Sequence, residues 1–289
     1  MSKVWLITGS ARGLGRDILE AALKAGERVL ATARDPKRLD DLKAAYGARL
    51  ETFALDVTDA EAAQAAVDRA VAVFGRLDVL VNNAGFGHFT PFEQVSAADF
   101  KAQIDANFYG VVNLVRAALP TMRKQKSGYI INISSVGGRT AAAGLSAYQS
   151  AKWAVGGFTE VLAQETAAFG VKVIAVEPGG MRTDWGFGAM GKQAELLPEY
   201  VPSVGMFLDM IKTYAGQEIG DPKKVADVVV DLTTRQALPA HLILGSDALA
   251  VFAQAENGRR KDAEEWLPVS RSVDFDGADL TAFSGTGIL

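Results

Sequence analysis

Short apolar runs alternate with longer amphipathic segments along most of the chain. The apolar runs have the length and β-branched content of buried parallel strands, and they cover residues 4–8, 28–33, 50–55, 79–82, 128–134 and 171–177, with 242–244 as a seventh. The segments between them repeat their apolar positions with helical spacing and cover residues 14–25, 37–46, 59–74, 96–126 and 147–169. Asp59 and Ser96 stand where helix N-caps are expected.

This alternation predicts right-handed βαβ units and an α/β fold. We expect a Rossmann-type, doubly wound parallel sheet of about seven strands with helices on both faces. Ligands of such sheets bind beyond the carboxyl ends of the strands, so functional side chains should follow strands.

Two segments depart from the pattern. Residues 181–220 are rich in Gly, Met and aromatics without a clear period, which favours a lid over a substrate site. Residues 246–289 contain a helical pattern followed by a Gly- and Ser-punctuated tail, typical of a capping or assembly extension. The predicted organisation is one catalytic domain over residues 1–245, lid included, and a C-terminal extension over 246–289.

Composition narrows the functional classes. The chain has 289 residues, of which 49% are hydrophobic, so it can bury a large core. The net charge of −4 argues against nucleic acid and membrane surfaces as partners, and the absence of cysteine excludes disulfides and thiolate nucleophiles. The first residues lack an apolar signal core and no apolar run is long enough to cross a membrane, so we expect a soluble cytoplasmic protein with a small-molecule partner.

A glycine-rich turn connects the first strand to the first helix. Gly9 would allow the tight turn, Gly13 would let a pyrophosphate approach the backbone, and Gly15 would let the helix pack on the sheet. The spacing differs from G-x-G-x-x-G, and a glycine turn at this place can also be purely structural. Its position at the first βα turn favours a dinucleotide-binding turn over a purely structural one.

The end of the second strand indicates which dinucleotide. Ala33 stands where NAD enzymes carry a carboxylate for the ribose, while Arg34 and Arg12 are two cations suited to a 2′-phosphate. We therefore predict NADP(H). NAD(H) stays an alternative because of Asp35. If the strand ended one or two residues later, the Asp35 carboxylate would take the position that bonds the ribose of NAD.

Tyr148 and Lys152 lie one helical turn apart and follow Ser134 and Ser135, which end the fifth strand. A cation beside a phenol lowers the phenol pKa, so we expect Tyr148 to exchange protons near neutral pH. Strand alternation predicts that only one of the two serines faces the site. A Tyr-x-x-x-Lys pair also occurs by chance on solvated helix faces.

The motifs together resemble the classical short-chain dehydrogenase/reductase family over about residues 3–245. They are the glycine turn, Asp56, the Asn-Asn-Ala-Gly sequence at 82–85, Asn107, Ser135, Tyr148, Lys152 and Pro178-Gly179. Longer sequence segments, such as Glu-Pro-Gly-Gly-Met-Arg-Thr at 177–183, resemble those of the 17-beta-hydroxysteroid dehydrogenase branch of this family, which includes microbial carbonyl reductases.

The resemblance implies a role for each matching residue. Tyr148 would be the proton donor or acceptor, Ser135 would hold the substrate oxygen, Lys152 would tune Tyr148 and bond the nicotinamide ribose, and Asn107 would anchor a relay water. The cofactor would be held by Gly9, Arg12, Gly13, Leu14, Gly15, Arg34, Asp56, Val57, Asn83, Ala84, Gly85, Tyr148, Lys152, Pro178, Gly179 and Thr183. Homo-oligomers are common in the family, so a dimer or tetramer is expected.

Large apolar side chains follow the sixth strand and predict a hydrophobic substrate pocket. Trp185, Phe187, Met190 and Met206 are the residues assigned to it, although an amphipathic helix pair packed on the sheet would give the same pattern. The sequence thus predicts an NADP-dependent oxidoreductase acting on a bulky ketone or secondary alcohol. An NAD-dependent alcohol dehydrogenase, a catalytically silent NADP-binding scaffold and an epimerase or dehydratase remain as alternatives.

Overall fold

A computed structural model describes residues 2–183, 189 and 195–278. Within these residues seven parallel strands form one sheet in the order β3-β2-β1-β4-β5-β6-β7. The strands are β1 Val4–Ile7, β2 Arg28–Ala33, β3 Leu50–Ala54, β4 Val79–Asn82, β5 Gly128–Ile133, β6 Val171–Pro178 and β7 His241–Leu244. The chain order reverses between β1 and β4, which opens a crevice at their carboxyl ends. The predicted Rossmann-type fold is confirmed.

Helices cover both faces of the sheet. They are α1 Gly13–Lys24, α2 Asp40–Tyr46, α3 Ala60–Phe74, α4 Ala97–Ile104, α5 Gly110–Gln125, α6 Ser146–Thr166, α7 Met206–Tyr214, α8 Pro222–Leu232, α9 Ser246–Glu265 and α10 Leu267–Arg271. One apolar core lies under α1 and α8, and a second lies under α3, α5 and α6.

Each central strand supplies both cores. On β1, Trp5 and Ile7 belong to the first core and Leu6 to the second, and all three are fully buried. Burial on both faces explains why the strands are continuous apolar runs rather than alternating ones.

Most predicted element ends lie within one residue of the observed ones, and both predicted caps are confirmed. The Asp59 carboxylate accepts hydrogen bonds from the backbone of Glu61 at 2.9 Å and of Ala62 at 3.0 Å, and the Ser96 hydroxyl accepts one from Asp99. Two predicted helices are partly 3₁₀ in the structure. The predicted helix 37–46 begins in the 3₁₀ turn Pro36–Leu39, which precedes α2, and the predicted helix 147–169 ends in the 3₁₀ turn Ala167–Phe169, which follows α6.

The prediction of one continuous helix over residues 96–126 is wrong. A π-helical turn, Asp105–Tyr109, separates α4 from α5. Its centre is Asn107, whose side-chain amide donates to the carbonyl oxygens of Gln103 at 2.8 Å and Phe86 at 2.7 Å. An amide side chain that bonds the carbonyl four residues earlier competes with the helical backbone, and a π turn accommodates one inserted residue. Apolar periodicity is insensitive to such an insertion.

The two segments outside the alternating pattern contain helices. A π turn, Val201–Gly205, leads into α7, and a bridge between Met181 and Gly220 closes the base of the predicted lid. Only Ala248 of α9 is buried, so this helix lies on the surface of the domain. Among the described residues, no helix combines the length and apolarity needed to span a membrane.

Replacing Asp59 with Ala should destabilise the protein by about 1 kcal/mol, because two backbone donors at the start of α3 lose their acceptor. Chemical denaturation would measure the loss. Gln64→Ala, on the exposed side of the same helix, should change the free energy of unfolding by less than about half as much. Equal effects of the two variants would contradict the capping assignment.

Candidate active site

The glycine turn, residues 8–15, can accept a phosphate-bearing ligand at the start of α1. Gly9 and Gly13 adopt positive φ angles of 67° and 53°, which side chains disfavour. A Cβ at position 15 would collide with the Gly9 carbonyl and the Asn83 side chain. The turn therefore depends on glycine at all three positions, and it leaves the first backbone amides of α1 without an overlying side chain, as a dinucleotide requires. Leu14 is buried in the core, so only its backbone is available.

The loop after β4 is bonded to the glycine turn. The Asn83 side chain donates to the carbonyl oxygens of Thr8 at 3.0 Å and Gly9 at 3.3 Å, and the Thr8 hydroxyl accepts from the backbone of Asn83 and Ala84. A Cβ at Gly85 would collide with Asn107. Asn83, Ala84 and Gly85 thus hold the turn in shape at the crevice.

The end of β2 presents cations and no unengaged carboxylate. The strand ends at Ala33, and the Asp35 carboxylate caps the following 3₁₀ turn by accepting from Lys37 at 3.2 Å. Arg34 and Arg12 are exposed, and neither guanidinium makes a hydrogen bond within the described chain. Asp35, the residue that left NAD(H) as an alternative, therefore uses its carboxylate to cap the following turn.

Asp56 and Val57 follow β3 on the same edge. The Asp56 carboxylate accepts from the Thr58 backbone at 3.0 Å and hydroxyl at 2.8 Å, and these bonds, assisted by the charge of Arg34, hold its pKa below the usual value. Asp56 is exposed, whereas Val57 is buried against Gly110 of α5.

Ser135 and Tyr148 are brought together at the carboxyl end of β5. A hydrogen bond joins the two side chains. The Ser135 hydroxyl also accepts from Gly137 at 3.0 Å, which fixes its orientation. Ser134 instead is buried and donates to the Lys152 carbonyl at 3.3 Å. The two serines therefore point apart, as strand alternation predicts.

Lys152 lies beneath Tyr148. Its ammonium donates to the Ile133 carbonyl at 2.8 Å and lies 5.6 Å from the centre of the Tyr148 ring. Both groups are buried, and burial disfavours the charged form of each. The pKa of Lys152 falls to about 8 for this reason.

The expectation that Lys152 lowers the Tyr148 pKa toward neutrality is wrong for the protein without ligand. Burial raises the pKa of Tyr148 to about 12, and the Ser135 hydrogen bond offsets this only partly. Desolvation of the phenolate outweighs the Ser135 hydrogen bond, so Tyr148 is a neutral phenol near pH 7.

Asn107 approaches the site from the π turn. Its amide nitrogen is engaged, while its buried Oδ1 accepts no hydrogen bond from the described residues. A buried carbonyl oxygen of this kind is suited to hold a water molecule. A Cβ on Gly85 would collide with Asn107 Oδ1 and would lie 3.8 Å from the Lys152 ammonium, so Asn107 lies close to Lys152.

The loop after β6, residues 178–183 and called here the β6 loop, reaches the glycine turn. Pro178 ends β6, and the Gly179 amide donates to the Leu244 carbonyl at 2.9 Å. A Cβ on Gly13 would lie 3.9 Å from the Thr183 Cβ, so Thr183 stands beside the glycine turn. The predicted cofactor residues thus share one edge of the sheet.

An apolar cluster that includes Tyr148 is called here the lid cluster. It consists of Phe89, Leu145, Tyr148, Ala189, Val204 and Leu208, flanked by partly buried neighbours that include Tyr200 and Phe207. Met206, assigned to the pocket, is 68% exposed, because Leu208 and Phe207 are the α7 residues that turn inward. Trp185, Phe187 and Met190 lie outside the described residues.

Polar residues that the sequence analysis did not single out attach the lid to the body. The Gln94 side chain donates to the Glu195 carbonyl at 2.9 Å and accepts from the Leu197 amide at 3.2 Å, and the Tyr200 hydroxyl donates to Glu93 at 2.8 Å. No sequence spacing links two segments about 100 positions apart.

A buried carboxylate was also missed. Glu177 is fully buried in β6, 2.7 Å from His241 Nδ1 and 3.7 Å from an Arg139 nitrogen. The hydrogen bond to Glu177 raises the pKa of His241. The available signal was a carboxylate at the end of the predicted strand 171–177, among the buried residues that precede it.

Comparison with known proteins agrees with this geometry. Residues 3–189 match the family model described as short chain dehydrogenase. Oxidoreductase BOA17 of Botryotinia fuckeliana is 45% identical over 93% of this chain and 98% of its own length. A short-chain dehydrogenase structure from Streptomyces avermitilis aligns with a TM-score of 0.88 and 40% identity, covering 95% of this chain and 100% of the other. The structure of ElxO with NADP bound aligns with a TM-score of 0.72 and 32% identity, covering 86% and 100%. By motifs, fold and relatives, the chain belongs to the short-chain dehydrogenase family of oxidoreductases.

Proposed function

We propose that this protein is an NADP(H)-dependent oxidoreductase that interconverts a bulky hydrophobic ketone and its secondary alcohol. The observation that carries the proposal is the hydrogen-bonded Ser135–Tyr148 pair above a buried Lys152, on the same sheet edge as the glycine turn. Two hydroxyl donors that converge on one point can stabilise the charge that develops on a carbonyl oxygen during reduction.

The proposed chemistry divides between the cofactor and the chain. NADPH, when bound, supplies the hydride. Ser135 and Tyr148 donate hydrogen bonds to the carbonyl oxygen, and Tyr148 then transfers its proton to that oxygen. The Lys152 charge stabilises the phenolate that remains. Asn107 Oδ1 holds a water through which Tyr148 regains a proton.

The resting protonation state of Tyr148 is the one that ketone reduction uses. With a Tyr148 pKa of about 12, the group is present as the acid that ketone reduction requires. Alcohol oxidation would begin from the phenolate, which this burial disfavours.

The surroundings of β2 support NADP(H) over NAD(H). Exposed Arg34 and Arg12 are suited to a 2′-phosphate, and the nearest competing carboxylate, Asp35, accepts a bond from Lys37. ElxO, with NADP in its structure, is consistent with this assignment.

The lid cluster supports a hydrophobic substrate. Apolar side chains surround the Tyr148 ring, and a lid held by Gln94 and Tyr200 would exclude water from the reacting atoms. Sequence segments such as residues 177–183 favour placing the chain in the branch of 17-beta-hydroxysteroid dehydrogenases and carbonyl reductases. The family resemblance supports a homo-oligomer, because dimers and tetramers are common among its members.

A silent NADP-binding scaffold is the competing function. It has no need for a buried ammonium beneath a serine-bonded phenol, and retaining a buried charge is costly. The proton-transfer residues therefore favour the enzyme.

Tyr148→Phe should reduce kcat for NADPH-dependent ketone reduction by at least about 100-fold, because the proton donor is lost. Absorbance of NADPH would report turnover, and fluorescence titration should give a cofactor Kd within about twofold of wild type. Tyr214→Phe, at an exposed position of α7, is the matched control and should retain full activity. Wild-type turnover by Tyr148→Phe would refute the assignment.

Arg34→Ala should weaken NADPH binding by about 1.5 to 3 kcal/mol and leave NADH binding nearly unchanged, because only NADPH carries the 2′-phosphate. Titration of both cofactors against the same variant provides the internal control. Equal weakening of NADPH and NADH would show that Arg34 does not contact the phosphate.

Reduction should slow at alkaline pH. It requires the Tyr148 proton and the Lys152 charge; both are lost as pH rises, and Lys152, with a pKa of about 8, loses its charge first. A profile of kcat/KM against pH should be level below about pH 7 and fall above about pH 8. A level profile up to about pH 10 would contradict the assigned role of Lys152.

A further inference from the structure

Helix α9 lies outside the short-chain dehydrogenase motifs, yet it contacts two loops of the site. One is the β6 loop, residues 178–183, and the other is the Ser135 loop, residues 135–140. We propose that α9 is a positioning element for the reaction: Asp247 fixes the β6 loop for cofactor binding, and Phe252 with Arg259 fixes the Ser135 loop for proton transfer. This inference rests on the proposed function.

Asp247 bonds and packs against two glycines of the β6 loop, Gly179 and Gly180. Its Oδ2 accepts a hydrogen bond from the Gly180 amide at 2.8 Å. A Cβ at Gly179 would collide with the carboxylate, and one at Gly245 would lie 2.5 Å from its Oδ1. The carboxylate therefore occupies a space that exists only because both positions lack side chains, and a shift of Asp247 would move the β6 loop with it.

The location of Asp247 in the chain favours this contact. It belongs to the first turn of α9, where a negative charge interacts favourably with the helix dipole. The Gly179 amide also donates to Leu244, just before α9, so the β6 loop is bonded on both sides of Gly245. Thr183, three residues beyond Gly180, stands beside the glycine turn. Misplacement of the β6 loop would thus alter the cofactor side of the site.

Arg139 connects α9 to the Ser135 loop. Its guanidinium lies 4.9 Å from the centre of the Phe252 ring, and its carbonyl accepts from Arg259 at 2.9 Å. On the opposite side, an Arg139 nitrogen lies 3.7 Å from the buried Glu177 carboxylate. Arg139 is thereby held between α9 and β6.

Arg139 in turn shapes the turn that orients Ser135. Its amide donates to the Val136 carbonyl at 2.9 Å, and within this turn the Gly137 amide donates to the Ser135 hydroxyl at 3.0 Å. Loss of the Phe252 contact should therefore disturb the hydroxyl that bonds Tyr148, without touching the cofactor residues. The two contacts of α9 predict two different kinetic signatures.

Asp247→Ala tests the contact to the β6 loop. It should raise KM and Kd for NADPH about tenfold, with kcat within about twofold of wild type, because a hydrogen bond to a charged group is lost away from the reacting atoms. Asp247→Asn retains an acceptor for the Gly180 amide and should recover most of the affinity. Ser246→Ala, one residue earlier and exposed, is the control and should behave as wild type.

Phe252→Ala tests the contact to the Ser135 loop. It should lower kcat about fivefold and leave the Kd for NADPH unchanged, while Phe252→Tyr, which keeps the ring under the guanidinium, should restore kcat. Leu249→Ala, exposed on the same helix, is the control. A helix that only stabilises the fold would give the same kinetic change for both sites, accompanied by a lower melting temperature.

Amide hydrogen exchange of the full chain without cofactor separates this inference from the proposed function. Asp247→Ala should accelerate exchange at Gly180, and Phe252→Ala should accelerate it at Gly137, each by at least about tenfold. If wild-type protein oxidises no NADPH, the proposed function fails while the exchange result still reports on the two contacts. Unchanged exchange, or identical kinetic signatures for the two variants, would overturn the inference.

Discussion

Burial of an ammonium group beneath a phenol is the constraint around which the site is built. Lys152 donates to the Ile133 carbonyl at the last residue of β5, so the cation fixes α6 to the sheet at the point where Ser135 follows. Desolvation lowers the pKa of the ammonium and raises that of the phenol, so the proton stays on Tyr148 near neutral pH.

The remaining edge of the crevice is assembled from close contacts that only glycine permits. Gly15 makes room for Asn83, and Gly85 makes room for Asn107. Two asparagine amides therefore span the glycine turn, the loop after β4 and the π turn. A displacement in any of these segments would have to break a buried hydrogen bond, which proteins disfavour strongly. The cofactor side of the site is for this reason largely preformed.

The sequence predicts the fold well because both sides of the sheet are buried. Continuous apolar strands such as β1 and capped helices such as the one after Asp59 depend on local composition. The site residues that follow strands, including Ser135, are placed by the same logic. By contrast, the contacts of Gln94 with residues 195 and 197, and of Asp247 with Gly180, join distant segments through single side chains. Nothing in local spacing encodes them. The Tyr148 pKa was misjudged because a sequence shows which charge is near but not how deeply the group is buried.

The π turn has a consequence for how this chain can vary. Each residue of an α-helix turns the chain by about 100°. Inserting one residue into a regular α-helix would rotate the following segment by that angle, whereas the wider π turn takes up the extra residue and leaves Val111, Leu114 and Ala118 of α5 in the core. The π turn thus lets Asn107 reach the crevice while α5 keeps its apolar stripe against the sheet. Deleting one residue between Asp105 and Tyr109 would instead give regular α-helix and remove the displacement of Asn107 toward the crevice.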